Sequence, residues 1–152
     1  MFHQFIVFFT ALLAATLTAV DASSGFTGSC TMCDWMEDTR LQVQCKRTNG
    51  DILSTELDLN NCFTTMQGKL RPAEDAANYH GSCFNCKIDW NNGATMTCLC
   101  TNDGVVYDHS SIVLNDFIGN NDGFIHCRDG MFGSVQHTCG DFDRPQESQQ
   151  RL

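Results

Sequence analysis

Apolar and polar residues alternate with a period of two in several short stretches of the chain. In the clearest stretch, Leu41, Val43 and Cys45 alternate with Gln42 and Gln44. An alternation of this kind is typical of a β-strand that buries one face. Three further stretches follow the pattern, the middle one more loosely, at residues 57–59, 95–99 and 112–114. The pattern therefore predicts a protein built from short strands.

Turn-forming dipeptides separate the predicted strands. Each places Gly after Asn or Asp, a combination that favours tight turns because Gly adopts positive φ at little steric cost. The four dipeptides are Asn49-Gly50, Asn92-Gly93, Asp103-Gly104 and Asp122-Gly123. Two short segments, 60–66 and 115–120, each begin at an Asn suited to cap a helical turn. We expect 3₁₀ or α turns there.

The chain contains an internal repeat with an offset of 53 residues. Residues 28–33, Gly-Ser-Cys-Thr-Met-Cys, match residues 81–86, Gly-Ser-Cys-Phe-Asn-Cys. The same offset joins Cys45 to Cys98 and Thr48-Asn49 to Thr101-Asn102. Two residues are then inserted in the second copy. After this insertion, residues 57–60 match residues 112–115, and Gly68 matches Gly123. Self-similarity at a fixed period indicates a duplicated structural unit.

The repeat and the end segments predict three regions in the chain. Residues 1–22 form a signal peptide, and residues 23–127 form one domain, in which repeat 1 spans about 26–71 and repeat 2 about 79–126. The remaining residues, 128–152, form a C-terminal extension whose polar end we expect to be partly disordered.

The first region has the character of a targeting segment. Residues 5–19 are almost continuously apolar, but this run is shorter than the roughly 20 residues that cross a bilayer. Small residues around Ala22 then offer a cleavage site. We expect a secreted protein that does not insert into the membrane after cleavage; an uncleaved anchor is the alternative.

Composition and charge exclude several classes of protein. Hydrophobic residues make up 42% of the chain and charged residues 18%, which is too apolar for a disordered chain. The formal net charge is −9, from 9 basic and 18 acidic residues. A chain this acidic is a poor binder of phosphate backbones, so we expect no nucleic-acid partner.

Ten cysteines are the main candidates for chemistry. The pairs Cys30-x-x-Cys33 and Cys83-x-x-Cys86 have the spacing of zinc knuckles or redox motifs, but those belong to reducing compartments. In an exported protein we expect disulfides instead. Equivalent bridges in equivalent repeats predict Cys30–Cys45 and Cys83–Cys98. The other six cysteines allow 15 pairings that the sequence leaves open: Cys33, Cys62, Cys86, Cys100, Cys127 and Cys139.

The ordered motifs of the two repeats resemble the cyanovirin-N homologue (CVNH) family of lectins. The segments that carry the resemblance lie at residues 29–30, 45–50, 56–60, 82–83, 111–115 and 120–123. The resemblance implies a pseudo-symmetric all-β fold with β-hairpins, short 3₁₀ turns, stabilising disulfides and strand exchange between the repeats. It also implies binding of mannose-rich glycans without a metal, a cofactor or catalysis.

Carried over from the family, the first glycan site lies where the two repeats meet. Thr48, Asn120 and Asp122 match the residue types of the family, and Lys46 stands where the family has an acidic residue. The full set implied for this site is Ser29, Lys46, Thr48, Asn120, Asn121 and Asp122. Their carboxylate, amide, hydroxyl and ammonium groups can both donate to and accept from sugar hydroxyls.

The second site implied by the resemblance has lost several of the polar residues of the family. It would use Ser82 and the segments 64–67 and 99–101. The acid and the amide that the family has before Gly68 are absent from this chain. We expect this site to bind weakly or not at all.

Three functional hypotheses follow. The first is a secreted lectin for mannose-type oligosaccharides or glycoproteins, acting as a monomer or a strand-swapped dimer. The second is a secreted, disulfide-rich interaction protein that has kept the scaffold and lost sugar binding. The third is an enzyme, which we disfavour because no pair of acidic residues can be singled out for glycosidase chemistry.

Overall fold

The computed structural model describes residues 24–36, 38–74, 76–127, 133–135 and 139. Short antiparallel strands joined by tight turns make up most of this part, which contains no α-helix. Repeat 1 contributes β1 (Cys30–Met36), β2 (Arg40–Lys46), β3 (Ile52–Asp58), β4 (Phe63–Met66) and β5 (Lys69–Pro72). Repeat 2 contributes β6 (Cys83–Asp89), β7 (Thr95–Thr101), β8 (Tyr107–Val113), β9 (Gly119–Asn121) and β10 (Phe124–His126). Four 3₁₀ turns lie at Phe26–Gly28, Leu59–Asn61, Tyr79–Gly81 and Leu114–Asp116.

Each repeat forms one sheet and one separate hairpin. The sheets have the orders β1-β2-β3 and β6-β7-β8, and the hairpins pair β4 with β5 and β9 with β10. In β2 the side chains of Leu41, Val43 and Cys45 are fully buried, as their alternation predicts. The pseudo-symmetric all-β fold with short 3₁₀ turns is confirmed.

The register of the strands shows how the two repeats correspond. Cys30 of β1 faces Cys45 of β2, and Cys83 of β6 faces Cys100 of β7. Positions in β1 therefore match β6 with an offset of 53, whereas positions from β2 onward match with an offset of 55. The two extra residues lie in the hairpin after β6, which is longer than the hairpin after β1. The sequence-based placement of this insertion beyond residue 49 is wrong.

All ten cysteines form disulfides. The bridges are Cys30–Cys45, Cys33–Cys139, Cys62–Cys127, Cys83–Cys100 and Cys86–Cys98. The predicted Cys30–Cys45 bridge is confirmed, whereas the predicted Cys83–Cys98 bridge is wrong. Cys98 and Cys100 are two residues apart on β7 and share its buried face, so the alternation of side chains cannot choose between them. Neither C-x-x-C pair is bonded internally, so neither forms the disulfide of a redox motif, and their cysteines are not thiolates that could bind zinc.

Each repeat is completed by the hairpin of the other. The β4–β5 hairpin packs against β8, where Leu70 N donates to Ser110 Oγ at 2.8 Å and Lys69 Nζ lies 3.2 Å from Asp108 Oδ2. The β9–β10 hairpin packs against β3 in return. This reciprocal packing is the strand exchange that the family resemblance implies.

Two asparagines predicted to cap helical turns have a different role. The 3₁₀ turns begin one residue earlier, and the segments that follow them are the strands β4 and β9. Asn115 Oδ1 accepts from Thr27 N at 3.0 Å, and at the matching position Asn60 Oδ1 accepts from His80 N at 3.0 Å. These bonds cross between the repeats, so each asparagine fixes the opening turn of the other repeat.

Part of the predicted C-terminal extension is joined to repeat 1. Strand β11 (Ser134–Val135) pairs with Thr55 and Glu56 at the edge of β3, and Cys139 is bonded to Cys33. The cysteine equivalent to Cys33 in repeat 2 is Cys86, which bonds to Cys98 within its own sheet. The position equivalent to Cys98 in repeat 1 is Val43. Cys33 therefore has no partner in its own sheet and bonds to the C-terminal segment.

The predicted signal peptide, residues 1–22, and residues 140–152 lie outside the described residues. Within the described ranges, no helix has the length and apolar character needed to cross a membrane.

Candidate functional site

The six residues predicted for the first glycan site come together where the first sheet meets the β9–β10 hairpin. Ser29 follows the first 3₁₀ turn, Lys46 ends β2, and Thr48 lies in the turn that leads to β3. The other three residues, Asn120, Asn121 and Asp122, occupy the end of β9 and the turn after it. Lys46 N donates to Ser29 O at 2.8 Å, which holds the two segments of repeat 1 side by side.

The Asp122 carboxylate organises the turn after β2. Its Oδ1 accepts from both Thr48 N at 3.0 Å and Thr48 Oγ1 at 2.8 Å, and its Oδ2 accepts from Arg47 Nη2 at 2.7 Å. These bonds favour the ionised carboxylate, and the one from Arg47 has the largest effect. Together they lower the pKa of Asp122 from its ordinary 3.8 to about 2.

The Asn120 amide joins three segments at the base of the site. Its Nδ2 donates to Ser29 Oγ and to Lys46 O, each at 2.9 Å, and its Oδ1 accepts from Gly123 N at 2.8 Å. A single side chain therefore binds the opening turn and β2 of repeat 1 while closing its own hairpin. Its polar groups are largely used inside the protein.

Gly123 allows the hairpin to lie close to repeat 1. Its φ is 95°, in the left-handed region, and an added Cβ would lie 2.8 Å from Arg47 Cγ and 2.9 Å from Leu53 Cβ. Those distances are shorter than a van der Waals contact, so any side chain would push the hairpin away from Arg47 and Leu53. Glycine at this position is therefore required for the bonds that Asp122 makes.

The exposed rim of this network carries the groups that can face a ligand. Lys46 and Asn121 are exposed, and the Thr48 hydroxyl still has a lone pair available after its bond to Asp122. An ammonium, an amide and a hydroxyl can donate to and accept from the vicinal hydroxyls of a sugar. Among the described residues, no group of three or more acidic, histidine or cysteine side chains is placed to hold a metal ion.

The matching position in repeat 2 is a shallow hollow of about 200 Å³. Its walls include Gln67, Gly68, Asn102 and Asp103. The offset of 55 makes Gln67 the equivalent of Asp122 and residues 101–103 the equivalents of 46–48. The second-site assignment to residues 99–101 is therefore displaced by two positions, and its cause is the insertion in the hairpin after β6.

The polar groups of this hollow are bonded differently from those of the first site. Asp103 Oδ1 accepts from Val105 N at 2.9 Å and Val106 N at 3.1 Å, and these bonds within its own turn lower its pKa. At this hollow an ion pair between the repeats is formed by Lys69 and Asp108, and the bond from Lys69 lowers the pKa of Asp108. The two sites are thus no longer equivalent.

Arg47 is the residue of this bonded network that the sequence-based assignment missed. It lies between two residues that were assigned to the site, and its Nη2 bonds to a third. The signal available in the sequence was the segment 45–50 that carries the family resemblance, which includes Arg47.

Comparisons with known proteins agree on one family. A family model described as CVNH domain matches residues 26–126 and also residues 79–152. The chain has no match among curated proteins.

Solved structures show the same fold. TbCVNH from T. borchii is 24% identical, covers 68% of this chain and 99% of its own, and has a TM-score of 0.58. The microvirin–mannobiose complex is 24% identical, covers 65% of this chain and 94% of its own, and has a TM-score of 0.55. A MoCVNH3 variant in complex with (N-GlcNAc)4 is 17% identical, covers 68% of this chain and 96% of its own, and has a TM-score of 0.58.

Proposed function

The chain belongs to the CVNH family, and from this premise we propose that it is a non-catalytic lectin that binds mannose-rich glycans at the site around Asp122. The observation that carries the proposal is the set of bonds from Asp122 to Thr48 and Arg47. They fix the rim of the site before any ligand arrives. Preorganisation of this kind lowers the entropy that binding must lose.

The charges at the site suit a neutral sugar. The protein has a formal net charge of −9, and the acidic group of the site is already paired with Arg47. A mannose residue carries no charge, so it is not repelled, and its hydroxyls can bond to Lys46, Thr48 and Asn121. Two similar proteins have been solved with mannobiose and with (N-GlcNAc)4, both of which are neutral pyranose ligands.

The cysteines support export as part of the same proposal. All ten are paired, which is typical of proteins that fold in an oxidising space. We therefore propose that the mature protein acts outside the cell, with glycoproteins or free oligosaccharides as its partners. A shallow single site binds weakly, so we expect avidity from several glycan arms to contribute.

One observation favours a second candidate function. Both oxygens of Asp122 and both polar atoms of Asn120 already bond within the protein. These residues could therefore hold the two repeats together in an interaction protein that does not bind sugar.

Glycan-array binding and calorimetry of the oxidised protein distinguish these functions. We expect the protein to bind oligomannose. Asp122→Ala should lose most of this affinity, whereas Gln67→Ala, the matched change in repeat 2, should retain it. Lys46→Ala and Asn121→Ala should also weaken binding without lowering the melting temperature, because both side chains are exposed. If the folded protein binds no glycan, the result would favour the interaction protein. If only Gln67→Ala loses glycan binding, the site lies in the hollow of repeat 2.

A further inference from the structure

Two aromatic side chains lie exposed on the outer face of the β6–β7–β8 sheet. Phe84 and Tyr107 are each 45% exposed, and their rings meet edge to face with centroids 5.0 Å apart. The loop before Tyr107 also exposes Val105, at 79%, whereas Val106 lines the hollow beside Gln67 and Asp103. Apolar groups clustered on a surface in this way mark binding sites more often than isolated ones do.

Among the described residues, the same face of repeat 1 has no such cluster. The cross-strand row Phe84–Leu99–His109 corresponds to the row Thr31–Gln44–Ser54, and Tyr107 corresponds to Ile52. Since the two repeats share one backbone plan, the fold itself does not require aromatic residues at these positions. They are a feature of repeat 2 alone.

The C-terminal segment reaches this face in repeat 1. Ser54 Oγ lies 4.0 Å from Cys139 Sγ, and Cys139 is bonded to Cys33 of β1. In repeat 2 the residue at the position of Cys33 is bonded within the sheet, so it cannot anchor a segment there. One outer face is thus partly covered by the chain itself, whereas the other presents aromatic rings.

The size and charge of the patch fit a sugar better than a protein. Two rings that are 45% exposed offer roughly 140–220 Å² of surface, given about 150–250 Å² for a whole aromatic side chain. A stable protein interface needs about 800 Å² from each partner. The row between the rings contributes Leu99 and Thr101, so the surface on which a sugar would stack carries no charge, although Lys87 faces Thr97 farther along the sheet and the Asp103 carboxylate lies in the adjoining loop.

We propose that Phe84 and Tyr107 form a stacking platform for a neutral pyranose, separate from the site around Asp122. Because the two ring planes are 76° apart, one ring packs against the face of the sugar and the other against its edge. This proposal rests on the proposed lectin function. A pyranose presents a face of axial C–H bonds that packs on an aromatic ring, and the β-linked gluco configuration keeps that face free of axial hydroxyls. In α-linked mannose the axial 2-hydroxyl interrupts one face and the axial glycosidic oxygen interrupts the other. The platform therefore takes β-linked N-acetylglucosamine or glucose chains in preference to mannose.

Hydroxyl groups beside the rings complete the platform. Thr97 and Ser111 face each other across β7 and β8 on the same outer face, with their hydroxyl oxygens 2.7 Å apart. The side chain of His109 is exposed on β8 between Ser111 and Tyr107. These groups can bond to the equatorial hydroxyls at the edge of a stacked sugar.

An NMR titration of the oxidised protein with a β1,4-linked N-acetylglucosamine tetramer, and separately with mannobiose, tests the platform. We expect upfield shifts of sugar ring protons and amide shifts at Phe84, Leu99 and Tyr107 with the tetramer. Tyr107→Ala and Phe84→Ala should weaken its affinity about fivefold to tenfold, whereas Tyr107→Phe should retain it. Ile52→Ala, the matched change in repeat 1, should have no effect.

The position of the shifts separates this proposal from the lectin function. Shifts at the platform, with or without shifts at Thr48 and Asn121, support the platform. Tetramer shifts confined to Thr48 and Asn121 overturn the platform and leave the lectin function standing. The absence of shifts at both places with the tetramer overturns the platform, and their absence with mannobiose as well overturns the lectin function too. Self-association that Tyr107→Ala abolishes, without sugar shifts at the patch, would assign it to a second copy of the chain and also overturn the platform.

Discussion

The Arg47 guanidinium lies 2.7 Å from the Asp122 carboxylate, a contact that joins residues 75 positions apart in the two repeats. Both side chains are more than one third exposed, so the ion pair itself adds little to the free energy of unfolding. Its importance is geometric, because the same carboxylate holds Thr48. The pair fixes the shape of the proposed glycan site.

Acid should release this contact in a narrow range of pH. The folded-state pKa of Asp122 is about 2, below the ordinary value of 3.8. A depressed pKa contributes stability that is fully present above pH 4 and is lost as the pH falls through about 2. We expect the free energy of unfolding, measured by denaturant titration, to fall between pH 4 and pH 2 as this carboxylate takes up a proton.

Asp122→Asn provides the control for the pH series. Asp103 and Asp108 also have lowered pKa values, so the wild-type profile contains their contributions as well. The difference between wild type and Asp122→Asn isolates Asp122. Parallel profiles for the two proteins between pH 4 and pH 2 would contradict the bonding described for this carboxylate.

Replacement of Gly123 by alanine should destabilise the protein and impair the site. The added Cβ would meet Arg47 and Leu53 at less than 3 Å and would also occupy a left-handed backbone conformation. We expect a loss of about 1–3 kcal/mol in the free energy of unfolding, measured by chemical denaturation.

Gly104 offers a matched control for that substitution. Its φ of 78° is also left-handed, but nothing lies within 4 Å of an added Cβ. Gly104→Ala should therefore show only the backbone cost, about 1 kcal/mol. Equal losses in the two variants would show that the close approach of the hairpin to Arg47 has no energetic role.

A cysteine at position 43 should capture Cys33. The equivalent residues of repeat 2, Cys86 and Cys98, are bonded with their Cα atoms 4.1 Å apart. In the double variant Val43→Cys with Cys139→Ser, we expect peptide mass mapping to find Cys33 bonded to the introduced thiol. In Cys139→Ser alone, Cys33 should remain a free thiol. A free Cys33 in the double variant would show that β1 and β2 do not share the geometry of β6 and β7.

The sequence was sufficient for the fold, because the strands depend on local patterns. Alternation predicted the strands, whereas the assignment of Ser29, Thr48 and Asp122 to one proposed site came from the family resemblance. The register of repeat 2 could not be obtained in this way. A slip of two residues keeps every side chain on the same face, so the hydrophobic pattern is equally satisfied when Cys83 faces Cys98 or Cys100. Only the hairpin length, which tertiary structure determines, selects Cys100.

The exchange of hairpins between the repeats also has a consequence for biosynthesis. The first sheet obtains its β9–β10 cover from residues 119–126, which leave the ribosome long after β3. Neither half can bury its interior until nearly all of the domain has been synthesised. Contacts this distant in sequence slow folding. We therefore expect the nascent chain to remain accessible to chaperones, and to form disulfides between the wrong cysteines, until its last hairpin has been synthesised.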